Sequence, residues 1–140
     1  MSGDNNIDIE KWIRYAQMDF DHALKTTEAY YPVPIEIVCY HCQQSAEKIL
    51  KAYIIAKEEK LFKKTHDIEL LINHCKKYSS EFNNLSETCA LLTSYVVTAR
   101  YPPDIDLTEA EMKQAIKDAR QVLEFTKSKL KEMGYEYKPT

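Results

Sequence analysis

Turn-forming residues are scarce in this sequence of 140 residues, which has only two glycines and five prolines. Sandwiches and barrels need turns every few residues, and turns draw heavily on these two residue types. The scarcity therefore argues against an all-β fold and favours helices. A chain of this length can bury a hydrophobic core without disulfides or a metal. We predict a single domain over residues 1–140, with its core within about 8–133 and short polar tails.

An excess of positive charge and long apolar runs are also lacking. The formal net charge is −3, whereas proteins that coat nucleic acids non-specifically carry a basic surplus. No apolar run approaches the roughly 18 residues that a membrane span needs. The first ten residues, MSGDNNIDIE, are polar and acidic, which predicts no signal peptide. We therefore expect a cytoplasmic protein with reduced thiols and no membrane partner.

Helical periodicity runs through the whole chain. Each periodic segment places apolar residues at the i, i+3, i+4 and i+7 positions, and none alternates with the period of two that strands show. The predicted helices are Asp8–Ala29, Ile35–Glu59, a shorter one from the Thr65 or Asp67 cap to Tyr78, Phe82–Arg100, and Thr108–Met133. The last begins with a capping box, Thr108 to Glu111. The predicted fold is all-α, an up-and-down antiparallel helical bundle of four long helices plus a shorter one.

The four cysteines include one Cys-x-x-Cys pair, Cys39 and Cys42, which raises the question of a metal or redox site. Structural zinc usually takes a second such pair or two histidines, with the first pair on a tight turn. A thioredoxin-like thiol needs a preceding strand and a helix N-terminus. Here Cys39 and Cys42 lie mid-helix within an apolar stripe. We interpret them as core residues and predict no metal site.

A polar ridge lies on the face of the second predicted helix opposite its cysteines. It consists of His41, Gln44, Lys48 and Lys51, spaced by three, four and three residues. These donors suit phosphate or the carboxylates of a partner. The simpler interpretation is a solvated face with a Glu47–Lys51 ion pair. Because charged residues are rarely buried, the ridge is expected to face solvent, a dimer interface or a ligand.

A second candidate feature follows the fourth predicted helix, at Arg100-Tyr101-Pro102-Pro103-Asp104. The prolines stiffen this segment and would hold Arg100 and Tyr101 in fixed directions. The alternative is a helix stop whose arginine complements the helix dipole. His66, just before the third predicted helix, has a comparable alternative as a helix-start residue that bonds the local backbone. No glycine-rich phosphate loop, His-Glu-x-x-His motif or two-metal acid cluster is present, so no cofactor is expected.

Four segments in series carry a family resemblance. They are Trp12 with Ala16 and Asp19, residues 40–52 (YHCQQSAEKILKA), residues 65–68 (THDI) and residues 99–104 (ARYPPD). In order and spacing they resemble the HEPN domain (higher eukaryotes and prokaryotes nucleotide-binding), in its small stand-alone prokaryotic type. The resemblance covers the chain from about Asp8 to Met133. It implies a compact helical bundle, commonly a homodimer, often encoded beside a minimal nucleotidyltransferase.

The resemblance also bears on catalysis. Many HEPN proteins are metal-independent RNases, often toxins of toxin–antitoxin pairs, with an Arg-x(4–6)-His motif near a helix end at a dimer interface. Arg100 matches the arginine, which stabilises phosphate charge while the histidine transfers a proton. The matching histidine positions hold Ile105, Asp106 and Leu107. The motif therefore lacks its acid–base group here.

Three hypotheses follow. The first is a HEPN protein that binds a nucleotide or other phosphate ligand, acts with a minimal nucleotidyltransferase and is not catalytic by itself. Its proposed contacts are His41, Gln44, Lys48, Lys51, Arg100 and Tyr101. The second is an RNase that uses Arg100 with a displaced histidine, His66 or His41. The third is a pure protein-interaction module whose ridge contacts only a partner chain.

Overall fold

A computed structural model of the protein describes residues 8–100 and 107–137, with residues 96–100 described by their backbone alone. The described residues form α-helices and one 3-10 helix, and they contain no strand. In chain order the elements are α1 (Ile9–Ala29), α2 (Ile35–Glu58), α3 (Ile68–Lys76), the 3-10 helix (Ser80–Leu85), α4 (Ser86–Arg100) and α5 (Glu109–Glu132). The predicted all-α bundle of four long helices plus a shorter one is confirmed.

Side-chain caps set three of the helix starts. Asp8 accepts a hydrogen bond from the backbone N–H of Lys11 at the start of α1, and Asp67 does the same for Leu70 at the start of α3. The predicted capping box of α5 is confirmed, since the Thr108 and Glu111 side chains each accept from the other residue's backbone N–H. These caps satisfy amide groups that have no partner within the helix.

Two predicted boundaries are wrong. The helix predicted from Phe82 begins only at Ser86, because Ser80–Leu85 forms a 3-10 helix. Phe82 and Leu85 are buried all the same, since a spacing of three places both residues on one face of a 3-10 helix. The third helix ends at Lys76 rather than at Tyr78.

The second helix, α2, lies at the centre of the bundle and packs against each of the other four α-helices. Every side chain from Ile49 to Ala56 is buried. Between α2 and α1, the Ser45 hydroxyl donates a 2.8 Å hydrogen bond to the carbonyl oxygen of Ala16. Packing on so many sides means that polar residues of α2 must find partners within the protein.

No described helix has the combined length and apolar character required to cross a bilayer.

Candidate functional site

Two residues of the polar ridge, His41 and Lys48, lie beside a carboxylate of α1, Asp19. The Lys48 Nζ lies 2.6 Å from Asp19 Oδ2, a short charge-assisted hydrogen bond between the two helices. The His41 Nδ1 lies 3.7 Å from Asp19 Oδ1, which is beyond hydrogen-bond length, and this nitrogen is buried without a hydrogen-bond partner. Asp19 therefore pairs with Lys48 and attracts His41 only when that ring is protonated.

The other two ridge residues, Gln44 and Lys51, contact Glu47 of the same helix, whose side chain is almost completely buried. Lys51 Nζ donates to Glu47 Oε2 at 3.1 Å, and the Gln44 amide donates to Oε1 at 3.4 Å. The His66 Nδ1 lies 3.0 and 3.1 Å from the two carboxylate oxygens. One buried carboxylate thus receives three donors, as a buried charge requires.

The expectation that the whole ridge faces outward is wrong at its C-terminal end. Lys51 is only 8% exposed and Glu47 only 2%. The predicted Glu47–Lys51 ion pair does form, but it lies inside the protein rather than on a solvated face. The periodicity of α2 could not show this, because the loop that carries His66 covers a helix face that the sequence alone leaves open.

His66 is held by Glu47 and still reaches solvent. Its side chain is 74% exposed, while the carboxylate that binds its Nδ1 is buried. A neutral histidine that donates from Nδ1 leaves Nε2 as a lone-pair acceptor, and a protonated one leaves Nε2–H as a donor. A carboxylate behind an exposed imidazole fixes the ring for proton transfer or for contact with an anion.

We call the residues around Asp19 and around Glu47, taken together, the polar array, in which Glu47 and Lys51 are buried. Its members are Asp19, His41, Gln44, Glu47, Lys48, Lys51 and His66. Its two carboxylates balance its two lysines, so the array is neutral when both histidines are neutral.

The remaining ligand-contact residues predicted from the sequence cannot be joined to the array from the structure. Arg100 is the last residue of α4, and its side chain lies outside the described residues. Tyr101 lies outside them entirely.

The cysteines are core residues, as predicted. All four are free and buried. Burial raises the pKa of the Cys39 thiol to about 11 and that of Cys42 to about 12. A buried thiol that resists ionisation is neither a nucleophile nor a ready metal ligand. Among the described residues, no group of three or more His, Cys, Asp or Glu side chains is placed to hold a metal ion.

Two titratable groups outside the array were missed at the sequence level. The Glu58 Oε2 accepts hydrogen bonds from Tyr78 at 2.5 Å and from His74 at 2.6 Å, and both lower the pKa of that carboxyl. Asp118 on α5 is buried, and burial raises its pKa. Helical spacing could not have found the Glu58 contacts, because Tyr78 lies beyond the end of α3 and the carboxylate that it shares with His74 is on α2.

Comparison with known proteins assigns the family. The family model of the HEPN domain matches residues 9–130. The crystal structure of TT1696 from Thermus thermophilus matches with a TM-score of 0.72 and 23% identity, covering 86% of this chain and 97% of that one. ST0689, an archaeal HEPN homologue, matches with a TM-score of 0.65 and 23% identity, covering 86% and 96%. No curated protein matches the chain significantly. The family match spans most of the chain and agrees with the helical fold, and the protein is therefore a member of the HEPN domain family.

Proposed function

We propose that this HEPN protein binds a phosphate-bearing ligand, such as a nucleotide, on the polar array and is not catalytic by itself. The observation that carries the proposal is that Asp19 and Glu47 hold the polar heads of Lys48 and His66 in fixed positions at the protein surface. Donors fixed before the ligand arrives lose little conformational freedom on binding.

The roles of the ridge residues differ in this proposal. Lys48 and the Nε2 of His66 contact phosphate oxygens, and Gln44 and His41 supply further hydrogen bonds. Lys51, being buried against Glu47, keeps that carboxylate in place rather than touching the ligand. Arg100 and Tyr101 are assigned to the ligand from the sequence, as a charge and as a stacking or hydrogen-bonding group.

The experiment is calorimetric titration of the purified protein with ATP, in parallel with K48A, H66A and the control K25A. Lys25 is an exposed lysine of α1 that makes no ion pair with a described residue. Wild type and K25A should bind, and K48A and H66A should bind at least ten-fold more weakly, about 1.4 kcal/mol. Binding that is equal in all four proteins would contradict the proposal, and so would no binding by any of them, which would leave the RNase and protein-interaction hypotheses.

The state of assembly belongs to the same proposal. We propose that the protein forms a homodimer and acts with a minimal nucleotidyltransferase partner, as the family resemblance implies. Light scattering of the purified chain measures the first, and a mass of 16.4 kDa rather than twice that value would contradict it. Co-purification with a nucleotidyltransferase encoded beside this chain, if the genome holds one, measures the second.

A second candidate function, a metal-independent RNase, is favoured by the geometry of His66. Its Nδ1 is held by a buried carboxylate and its ring is exposed, which is the arrangement of an oriented general acid–base. Cleavage of a mixed RNA pool in excess chelator, lost in both H66A and R100A, would establish this function. No cleavage by wild type would leave the binding function. Cleavage equal in all three would indicate a contaminating nuclease.

A further inference from the structure

His66 of the polar array lies on the loop that joins α2 to α3, residues 59–67. The sequence of this loop, EKLFKKTHD, contains neither proline nor glycine. No backbone–backbone hydrogen bond joins residues 60–66 to one another or to any other residue that the structure describes. A backbone without such bonds keeps many conformations unless side chains restrict it. The position of the His66 ring therefore depends on side-chain contacts near it.

Thr65 supplies such a contact directly beside His66. Its Oγ1 accepts a 3.1 Å hydrogen bond from the backbone N–H of Asp67, so the bond spans His66. A threonine hydroxyl that accepts from the amide two residues further on closes a small turn. This turn restricts the backbone on both sides of the His66 Cα atom, and with it the direction in which the side chain leaves the loop.

Asp67 anchors the turn to the helical bundle. Its side chain accepts from the Leu70 N–H and its carbonyl oxygen accepts from the Leu71 N–H, both at 3.1 Å, at the start of α3. Leu71 is buried in the core. The sequence allowed either Thr65 or Asp67 as the cap of this helix. Because Asp67 is the cap, the Thr65 hydroxyl is left to tie His66 to a fixed helix start.

The direction of the His66 side chain decides whether it can join the polar array. Its Nδ1 meets both carboxylate oxygens of Glu47 at 3.0 and 3.1 Å, although most of the side chain is exposed. An exposed side chain has no surrounding core to hold it in one conformation. Two restraints act on it instead, the Glu47 carboxylate at its ring and the Thr65 turn at its base. A ring held at both ends keeps its Nε2 in one place before a ligand arrives.

We infer that Thr65 is a positioning residue for the polar array. Its hydroxyl holds His66 in the direction that meets Glu47, and so raises the affinity of the array for its ligand. The effect on affinity rests on the proposed function, whereas the effect on the position of His66 does not. Thr65 itself does not touch the ligand, and loss of its hydroxyl should therefore act only through His66.

The test compares T65V, which keeps the shape of threonine without the hydroxyl, with T65S, which restores the hydroxyl. T93V is the control, because the hydroxyl of the half-buried Thr93 bonds only the backbone of its own helix. Histidine-selective NMR without ligand follows the His66 ring, and calorimetric titration with ATP measures affinity. H66A and T65V/H66A complete a double-mutant cycle. Thermal melting confirms that each variant is folded.

In T65V the His66 signal should move towards that of a free peptide with the loop sequence. ATP should bind T65V about five-fold more weakly than wild type, the effect of one lost hydrogen bond. T65S and T93V should match wild type in both measurements, and T65V/H66A should bind ATP as weakly as H66A does.

An unchanged His66 signal in T65V would overturn the inference. So would a further loss of affinity from H66A to T65V/H66A equal to that from wild type to T65V, since Thr65 would then act independently of His66. If wild type binds no ATP, the proposed function fails and the effect on affinity fails with it. The His66 signal alone then decides whether Thr65 holds the ring.

Discussion

Single side chains show where burial and charge conflict. Asp118 is 4% exposed; its Oδ1 accepts from Gln114, while its Oδ2 is buried without a hydrogen-bond partner. Burial raises the pKa of this carboxyl against the opposing effects of Gln114 and Lys117. A carboxyl whose pKa is raised on folding favours the folded state below its unfolded pKa, and this contribution is lost as the pH rises through the folded value. Asp118 therefore costs stability at neutral pH.

The substitution D118N should raise the free energy of unfolding by about 1 kcal/mol at pH 7, because an amide carries no charge to bury. Near pH 3 the difference from wild type should vanish, since the wild-type carboxyl is then protonated. Urea denaturation at the two pH values measures both quantities. If D118N is less stable than wild type at pH 7, the folded protein stabilises the charged Asp118 carboxylate and the prediction is wrong.

At the same scale, sequence patterns predict apolar residues better than charged ones. Cys39 and Cys42 were placed in the core because their apolar neighbours share one stripe, and they are buried. Lys51 was placed outside because lysine is rarely buried, yet it is buried against Glu47. A buried ion pair depends on two side chains and on the loop above them, and periodicity contains no information about that loop.

At the scale of elements, caps were predicted well and the type of helical turn was not. The α5 capping box was readable because its two residues are three apart in sequence. The 3-10 helix before α4 was not readable, because Phe82, Leu85 and Cys89 have a spacing that fits α-helix as well.

Removing the α5 cap tests the local stability of that helix. T108A should lower the free energy of unfolding by about 1 kcal/mol, because it leaves the Glu111 N–H without its side-chain acceptor. T26A is a matched control within α1, where the threonine hydroxyl bonds only the backbone of its own helix. Thermal melting of both variants measures the difference. If T108A loses no more stability than T26A, the Thr108 cap does not contribute to the free energy of unfolding as expected.

At the C-terminal cap of α2, replacing Glu59 should stabilise the protein. Glu59 adopts a left-handed conformation with φ of 57°, which suits glycine better than a residue with a Cβ atom. E59G should raise the free energy of unfolding by roughly 0.5–1 kcal/mol. Urea denaturation measures it. A decrease would show that the Glu59 side chain makes stabilising contacts that outweigh the backbone preference.

At the scale of the whole molecule, acid stability depends on contacts between helices. The hydrogen bonds from Tyr78 and His74 lower the pKa of Glu58. A carboxyl whose pKa is lowered on folding contributes stability above its unfolded pKa, and this is lost as the pH falls through the folded value. Glu58 thus helps to join the end of α2 to α3 at neutral pH.

E58Q should therefore lower the free energy of unfolding by about 1 kcal/mol at pH 7, since a neutral amide is a weaker acceptor. Below the folded pKa of Glu58 the variant and wild type should be equally stable. Thermal melting from pH 7 to pH 2 follows the difference. If E58Q stays less stable than wild type by the same amount in acid, the loss comes from packing rather than from the missing charge.

The fold and the family followed from patterns spread over the whole chain, such as helical periodicity and four short segments in series. The site did not follow as completely, because Asp19, Glu47 and His66 come from two helices and a loop. Asp19 and His66 were visible as parts of the family resemblance, but the pairing of Glu47 with His66 requires the fold.

Histidine-selective NMR of the full chain, titrated with ATP, tests the central claim most directly. His41 and His66 belong to the polar array, while His74 contacts Glu58 outside it. Single histidine substitutions assign the ring signals. The account predicts that the His41 and His66 signals shift in proportion to bound ATP and that the His74 signal stays in place. Signals of His41 and His66 that do not move, or a shift confined to His74, would contradict ligand binding on the polar array.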